Sequence, residues 1–222
     1  MKLLILDTST SLCGIAITDN NTLIFEEEFI GRQIHIEVLA PTIKKAIQAH
    51  GNVDAIALTI GPGSFNGLRI GLTTAKALAF VYRIPIIPVP TLDALAWQLD
   101  ISNFPCKILL YSHRDYFHYA EYFLEEGSPK SLKTQFKSAS EIIEEDDLPI
   151  FTNEVEKLTL LVDNPVRMIE NVQPRISSIA FWAYKNKAHA STDYYTLEPV
   201  YNAVYVAKKW TPPAYIQTEL SK

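Results

Sequence analysis

The residues that could do chemistry crowd into two places. Asp7-Thr8-Ser9-Thr10 follows an apolar run, Lys2 to Leu6, that reads as a strand. A carboxylate and three hydroxyls at a strand end can hold a metal-bound phosphate. They can equally close a turn, because Asp, Ser and Thr side chains bond nearby backbone N–H groups, and the lack of a glycine here favours that reading. The second place is Gly61-Pro62-Gly63-Ser64-Phe65-Asn66-Gly67-Leu68-Arg69-Ile70-Gly71, which holds four of the chain's eight glycines. It sits between a strand pattern, Asp54 to Ile60, and a helical one, Leu68 to Val81. A strand, tight loop and helix start can aim backbone N–H groups at an anion. The segment has neither the Lys-Ser/Thr ending of a P-loop nor the dinucleotide spacing, so Asp7, Ser9, Gly61, Gly63 and Ser64 are candidates only for a vestigial phosphate site.

Other reactive residues find no partners in the sequence. Ser64 lies in Gly-Ser-Phe-Asn-Gly, which is not a nucleophile elbow, and no base stands near it. His113 and His118 are expected on opposite faces of an extended segment with no acidic partner. Cys13 and Cys106 have neither metal-ligand spacing nor a disulfide framework. No metal site is expected.

The helix after the loop places Gly67, Gly71, Ala75 and Ala79 four residues apart, on one nearly bare face. Leu68, Leu72 and Phe80 flank it with apolar surface. The stripe fits close packing on the chain's own sheet and docking of a second helix equally well; spacing leaves both open.

With one change, Asn66 in place of Thr, the eleven residues from Gly61 to Gly71 resemble the hallmark of the bacterial TsaB proteins. Further matches are Asp7-Thr8-Ser9-Thr10, His35 with Leu39 and Pro41, Thr91-Leu92, Pro199-Val200-Tyr201 and the pair Lys208-Lys209. They are dense in the first half and thin in the second. The resemblance implies an RNase H-like, actin-like (ASKHA) α/β fold of two related halves, each a mixed sheet flanked by helices. In the related TsaD enzymes two histidines four apart bind a metal on the first helix; here the residue four after His35 is Leu39. Pro88, Pro90 and Asn202-Ala203 also depart from the family pattern.

Composition agrees with a folded, soluble chain. Its 222 residues are 48% hydrophobic with no apolar run of membrane length, so a cytoplasmic protein without a membrane association is expected. A net charge of −5 argues against a nucleic-acid backbone as the main ligand, because such binding draws on clustered Lys and Arg.

Three strands are expected first, Lys2 to Asp7, Gly14 to Asp19 and Thr22 to Phe29, then a helix from Ile34 to Ala49 bent at Pro41. After the glycine loop and second helix come a strand, Ile86 to Val89, and a helix to Leu99 capped by Thr91. Lys107 to Tyr111, Tyr116 to Leu124 and Leu132 to Lys137 repeat the three-strand opening. A short helix (Ser140 to Glu145), a strand (Pro149 to Phe151), a longer helix (Ser177 to His189) and a wrapping tail from Asp193 complete the second half. The halves are drawn as 1–100, and 101–222 with the tail.

An actin-like ATPase needs phosphate-binding turns from both halves, yet after Gly71 the chain has one glycine, Gly127. The resemblance therefore implies a non-catalytic subunit, with no cofactor of its own, that binds TsaD and acts with TsaE. The product would be threonylcarbamoyladenosine at position 37 of tRNAs reading ANN codons. ATP and metal are expected on TsaD, tRNA contact is indirect, and a homodimer is expected in isolation. The expected partner interface is His35, Leu39, Ile43, Gly67, Leu68, Arg69, Gly71, Leu72 and Ala75. The alternative is an actin-like ATPase or kinase, or a nucleotide- or anion-binding protein, with divergent motifs.

Overall fold

The computed structural model describes residues 1–31, 33–161 and 169–201. Asn202-Ala203 and Lys208-Lys209 lie outside them. The first half opens with β1 (Lys2–Asp7), β2 (Leu12–Asp19) and β3 (Thr22–Ile30), which pair in antiparallel order. Then come α1 (Ile34–His50), β4 (Ala55–Gly61), α2 (Phe65–Tyr82), β5 (Ile86–Pro90) and α3 (Thr91–Ala96). β4 pairs parallel with β1 and with β5, so the sheet order is β3-β2-β1-β4-β5.

The burial pattern explains the sequence of each strand. Leu3, Leu4, Ile5 and Leu6 are all buried because both faces of β1 are covered, and a doubly covered strand has no reason to alternate. Leu4 and Leu6 face α1 and α2 with Ile15, Leu58 and Leu72; Leu3 and Ile5 face the opposite layer with Ala57, Ile87 and Ile179. Only the edge strand β3 alternates, with Phe25 and Phe29 turned inward against the same core as α1. α1 runs unbroken through Pro41, which lies on its exposed face.

The second half repeats the plan with β6 (Cys106–His113), β7 (Tyr116–Glu125), β8 (Ser128–Ser131), β9 (Gln135–Ser138), α4 (Ala139–Glu144), β10 (Ile150–Thr152), α5 (Val155–Leu161), β11 (Ile169–Asn171) and α6 (Ile176–Lys185). Its order is β11-β10-β6-β7-β8, with β9 also on β7. Three of these elements, β8, α5 and β11, were not expected, being short and without clear periodicity. The expected long helix from Ser177 to His189 ends as an α-helix at Lys185 and closes with a 3-10 turn over Lys187–His189.

The halves exchange their last helices. Leu92, Leu95 and Ala96 of α3 pack on Ile108, Ala120 and Tyr122 of the second sheet, while Ile176, Ile179 and Ala183 of α6 pack on the first sheet. The line at residue 100 thus falls between the sheets, but α6, Ser191 and Val200 return to the first half, where Ser191 bridges Ile86 and the Val200 N–H donates to the Ile60 carbonyl at 2.8 Å.

Asp93 joins the exchange. Its carboxylate accepts the Tyr122 hydroxyl at 2.6 Å and the Trp182 indole N–H at 3.2 Å, linking α3, β7 and α6. Thr91 does not cap α3 as expected; it is the first helical residue, and its hydroxyl is buried without a partner. The expectation for His113 and His118 is also corrected. The hairpin puts them on neighbouring strands, and both rings meet Phe136 of β9, at 5.9 and 4.9 Å. Burial, and then the His113 charge, lowers the His118 pKa to about 4.

Two measurements follow from these contacts. Asp93→Ala leaves a phenol and an indole N–H without an acceptor and should lower the unfolding free energy in urea by about 2–3 kcal/mol. His118 is held neutral, so the unfolded chain takes its proton first. Its contribution to stability is whole above pH 6.5 and is lost as pH falls toward 4. His118→Phe should remove a pH-dependent loss of about 2–3 kcal/mol across that window, read as an unfolding midpoint that falls less steeply than the wild type's as pH drops from 6.5 to 4.

Candidate functional site

β1 ends in an enclosed carboxylate. Asp7 is fully buried, and its Oδ1 accepts the Ser9 N–H at 2.9 Å, the Ser9 hydroxyl at 2.7 Å and the Thr59 hydroxyl at 2.6 Å. Burial raises its pKa, against the opposing pull of these hydrogen bonds. Asp7 therefore closes the β1–β2 turn and ties it to β4.

The glycine loop is filled by the chain's own backbone. Gly63, at φ 158°, lies against the turn: a Cβ there would stand 2.3 Å from the Ser9 carbonyl oxygen, which also accepts the Ser64 N–H at 2.7 Å. Gly61, at φ 117°, lies under the returning segment, where a Cβ would stand 2.2 Å from the Val200 carbonyl oxygen. Both need glycine for conformation and for space. Ser64 caps α2, its hydroxyl accepting the Gly67 N–H at 3.2 Å. Asp7, Ser9, Gly61, Gly63 and Ser64 are thus brought together, but they offer no open site for a metal–nucleotide group: the carboxylate is fully buried, with Oδ1 engaged and Oδ2 without a partner among the described residues, and the spaces beside Gly61 and Gly63 are taken. Among the described residues no cluster of three or more His, Cys, Asp and Glu forms. Burial pushes both cysteine thiols up to about 12, out of the nucleophilic range.

The bare stripe of α2 faces inward. A Cβ on Gly67 would lie 2.0 Å from the Thr8 carbonyl oxygen, and one on Gly71 would lie 2.2 Å from the Thr8 hydroxyl and 3.2 Å from Leu58 Cδ1. The two readings that spacing left open are decided for self-packing. Leu39, Ile43, Leu72 and Ala75 are buried in one core, Leu68 is buried beside Gly61, and the buried His35 donates its Nε2–H to the Leu12 carbonyl at 3.1 Å. Of the nine residues expected at an interface, only Arg69 is exposed. Phe80, expected to flank the stripe, points outward at 67% exposure.

The groove between the two helices shares only Ile43 with the expected interface set. Ala40, Ile43, Lys44, Ile47 and Gln48 of α1 and Thr74, Leu78 and Tyr82 of α2 line a groove of about 310 Å³. α1 carries more apolar residues than one buried face can hold, and that surplus was the legible signal. One helical turn nearer the start of both helices lies a larger cleft of about 1080 Å³ between the halves, lined by residues that include Ser9–Ser11, His35 and Ile36, Gly63–Asn66, Arg69 and Ile70, and by Leu110–Ser112, Asn153 and Glu154 from across. There Arg69 lies 3.9 Å from the centre of the Phe65 ring and donates its Nε–H to the Tyr201 hydroxyl at 2.9 Å, with the two rings 5.1 Å apart.

Comparison with known proteins agrees with this architecture. The family model described as TsaD: tRNA N6-adenosine threonylcarbamoyltransferase matches residues 30–141. The chain belongs to that family. It is 36% identical over 100 residues to the tRNA threonylcarbamoyladenosine biosynthesis protein TsaB of Haemophilus influenzae, covering 43% of this chain and 42% of that one. For the Escherichia coli TsaB the match is 31% over 113 residues, 49% and 48%. The chain thus spans about half the length of the curated relatives it matches. A tRNA N6-adenosine threonylcarbamoyltransferase of Methylorubrum extorquens is 40% identical over 90 residues, 37% of this chain and 26% of that one. The solved YeaZ of Pseudomonas aeruginosa superposes with a TM-score of 0.72 at 23% identity, over 90% of this chain and 99% of that one, which shows a shared fold. Among the described residues no helix is long and apolar enough to cross a membrane.

The packing of α2 ranks its glycines. Gly67→Ala meets a backbone carbonyl that cannot turn away, whereas Gly71→Ala meets a side-chain hydroxyl. Both should destabilise by about 1–3 kcal/mol, with Gly67→Ala the worse, and Gly71→Leu should fail to fold; thermal unfolding of the three variants checks the order.

Proposed function

We propose that this chain is a non-catalytic subunit in the formation of threonylcarbamoyladenosine at position 37 of tRNAs reading ANN codons, and that it works by docking TsaD on the outer face of α1 and α2. The observation that carries this reading is the pairing of an enclosed Asp7 with an open apolar seam. In the carboxylate that an actin-like site would offer to metal and phosphate, Oδ1 is engaged inside the β1–β2 turn and by Thr59, and Oδ2 is buried without a partner among the described residues. Meanwhile Ile36, Val81 and Tyr82 stand 68%, 72% and 43% exposed along two adjacent helices. Apolar surface of this kind is stabilised when a partner covers it, at roughly 25 cal/mol per Å².

In this proposal TsaD supplies ATP, metal and the transfer chemistry, TsaE is the third component, and tRNA is met through the assembled complex. The same seam pairs two copies of the chain when TsaD is absent. The family membership and the names of the curated relatives support the pathway. The acidic net charge of −5 supports a protein partner over direct nucleic-acid binding. A cytoplasmic setting fits these partners.

The docking face can be tested without disturbing the core. Ala40 is exposed on α1 and lines the groove. Ala40→Arg keeps a good helix former there and projects a long cation into the seam. It should leave the melting temperature unchanged and weaken association with the TsaD counterpart about 10-fold or more, with a matching loss of tRNA modification by the mixture. ATP turnover by the isolated chain, abolished by Asp7→Ala, would instead favour the ATPase reading.

A further inference from the structure

One charge in the cleft beside the seam is unanswered. Arg69 is exposed, and among the described residues none of the ion pairs within 4.0 Å includes it. Its side chain is nevertheless held in place. The guanidinium lies on the Phe65 ring at 3.9 Å, and its Nε–H is engaged by the Tyr201 hydroxyl at 2.9 Å. Tyr201 is itself fixed by its neighbour Val200, whose N–H is bonded to the Ile60 carbonyl at 2.8 Å.

Among the described residues this arrangement leaves the two terminal guanidinium nitrogens as a fork, the geometry that matches a carboxylate through two parallel hydrogen bonds. Because the side chain is already ordered, little rotamer freedom is lost on contact. Around it stand Ile36 and Phe65, 68% and 53% exposed. A fixed arginine beside exposed aromatic and aliphatic groups has the make-up of an interface anchor.

We propose that Arg69 receives a carboxylate side chain of the protein that docks on the α1–α2 seam, and that Phe65 and Tyr201 hold the guanidinium ready for it. The inference rests on the docking reading above. A single carboxylate suits the site better than a nucleic-acid backbone, because Arg69 is the only Lys or Arg lining the cleft among the described residues. Arg69 makes the contact; Tyr201 is a positioning residue.

The test is association of the full chain with its TsaD counterpart, measured by surface plasmon resonance at low and high salt. Arg69→Ala should weaken binding about 10- to 100-fold and flatten its salt dependence. Arg69→Lys should keep the salt dependence but not the affinity, since a point charge lacks the fork. Tyr201→Phe retains the ring, removes the hydrogen bond and should speed dissociation about 3- to 10-fold with the melting temperature unchanged. Reversing the charge with Arg69→Glu and restoring binding with a lysine in place of one partner carboxylate would identify the pair. Wild-type affinity and salt dependence in Arg69→Ala would overturn the assignment. So would an Arg69→Ala complex that assembles normally but loses tRNA or ATP, because the anion would then be a phosphate. Failure of the wild-type chain to associate at all would defeat the docking reading itself.

Discussion

The close approach of α2 to the β1–β2 turn governs the rest of the molecule. Gly67 and Gly71 have no side chain to keep the helix away, so the Thr8 carbonyl and hydroxyl stand where a Cβ would otherwise be. The approach lays α2 flat on β4 and fixes the glycine loop against Ser9, whose carbonyl accepts the Ser64 N–H. The turn can sit so deep only because Asp7 answers its hydrogen-bond donors from within. Removing a buried acceptor of that kind costs the donors their desolvation as well as the bond.

The same economy of space fills the glycine loop. A phosphate site needs backbone N–H groups and a carboxylate that face an opening. Here the opening beside Gly61 is occupied by Val200 and the one beside Gly63 by Ser9, while Asp7 looks onto Ser9 and Thr59. The fold has kept the strand, loop and helix and has turned their polar groups onto one another. What it presents outward is a groove between two adjacent helices and, in the neighbouring cleft, an arginine held against two rings.

The exchange of α3 and α6 gives that surface a rigid base. Each helix is buried against the sheet of the other half, and Asp93 bonds to both β7 and α6. The halves therefore share one set of contacts. The seam on α1 and α2 is backed by the first sheet on one side and, through that sheet, by α6 on the other.

The alternation of apolar runs and turn residues was enough to read most of the first half, because β1, β4, α1 and α2 each carry a long uniform pattern. The glycine motif marked the right loop. Sequence could not tell which surface of α2 was buried, since a bare stripe suits a sheet and a partner helix alike, and eight of nine expected interface residues proved internal. Nor could it find Tyr201 beside Arg69, or Asp93 beside Tyr122 and Trp182, because those meetings join residues 132, 29 and 89 positions apart. Local sequence determines strands, helices and turns through periodicity and backbone preference. Which face is covered, and which polar group is spent inside, depends on what the chain brings back from far along its length, and only the tertiary structure decides that.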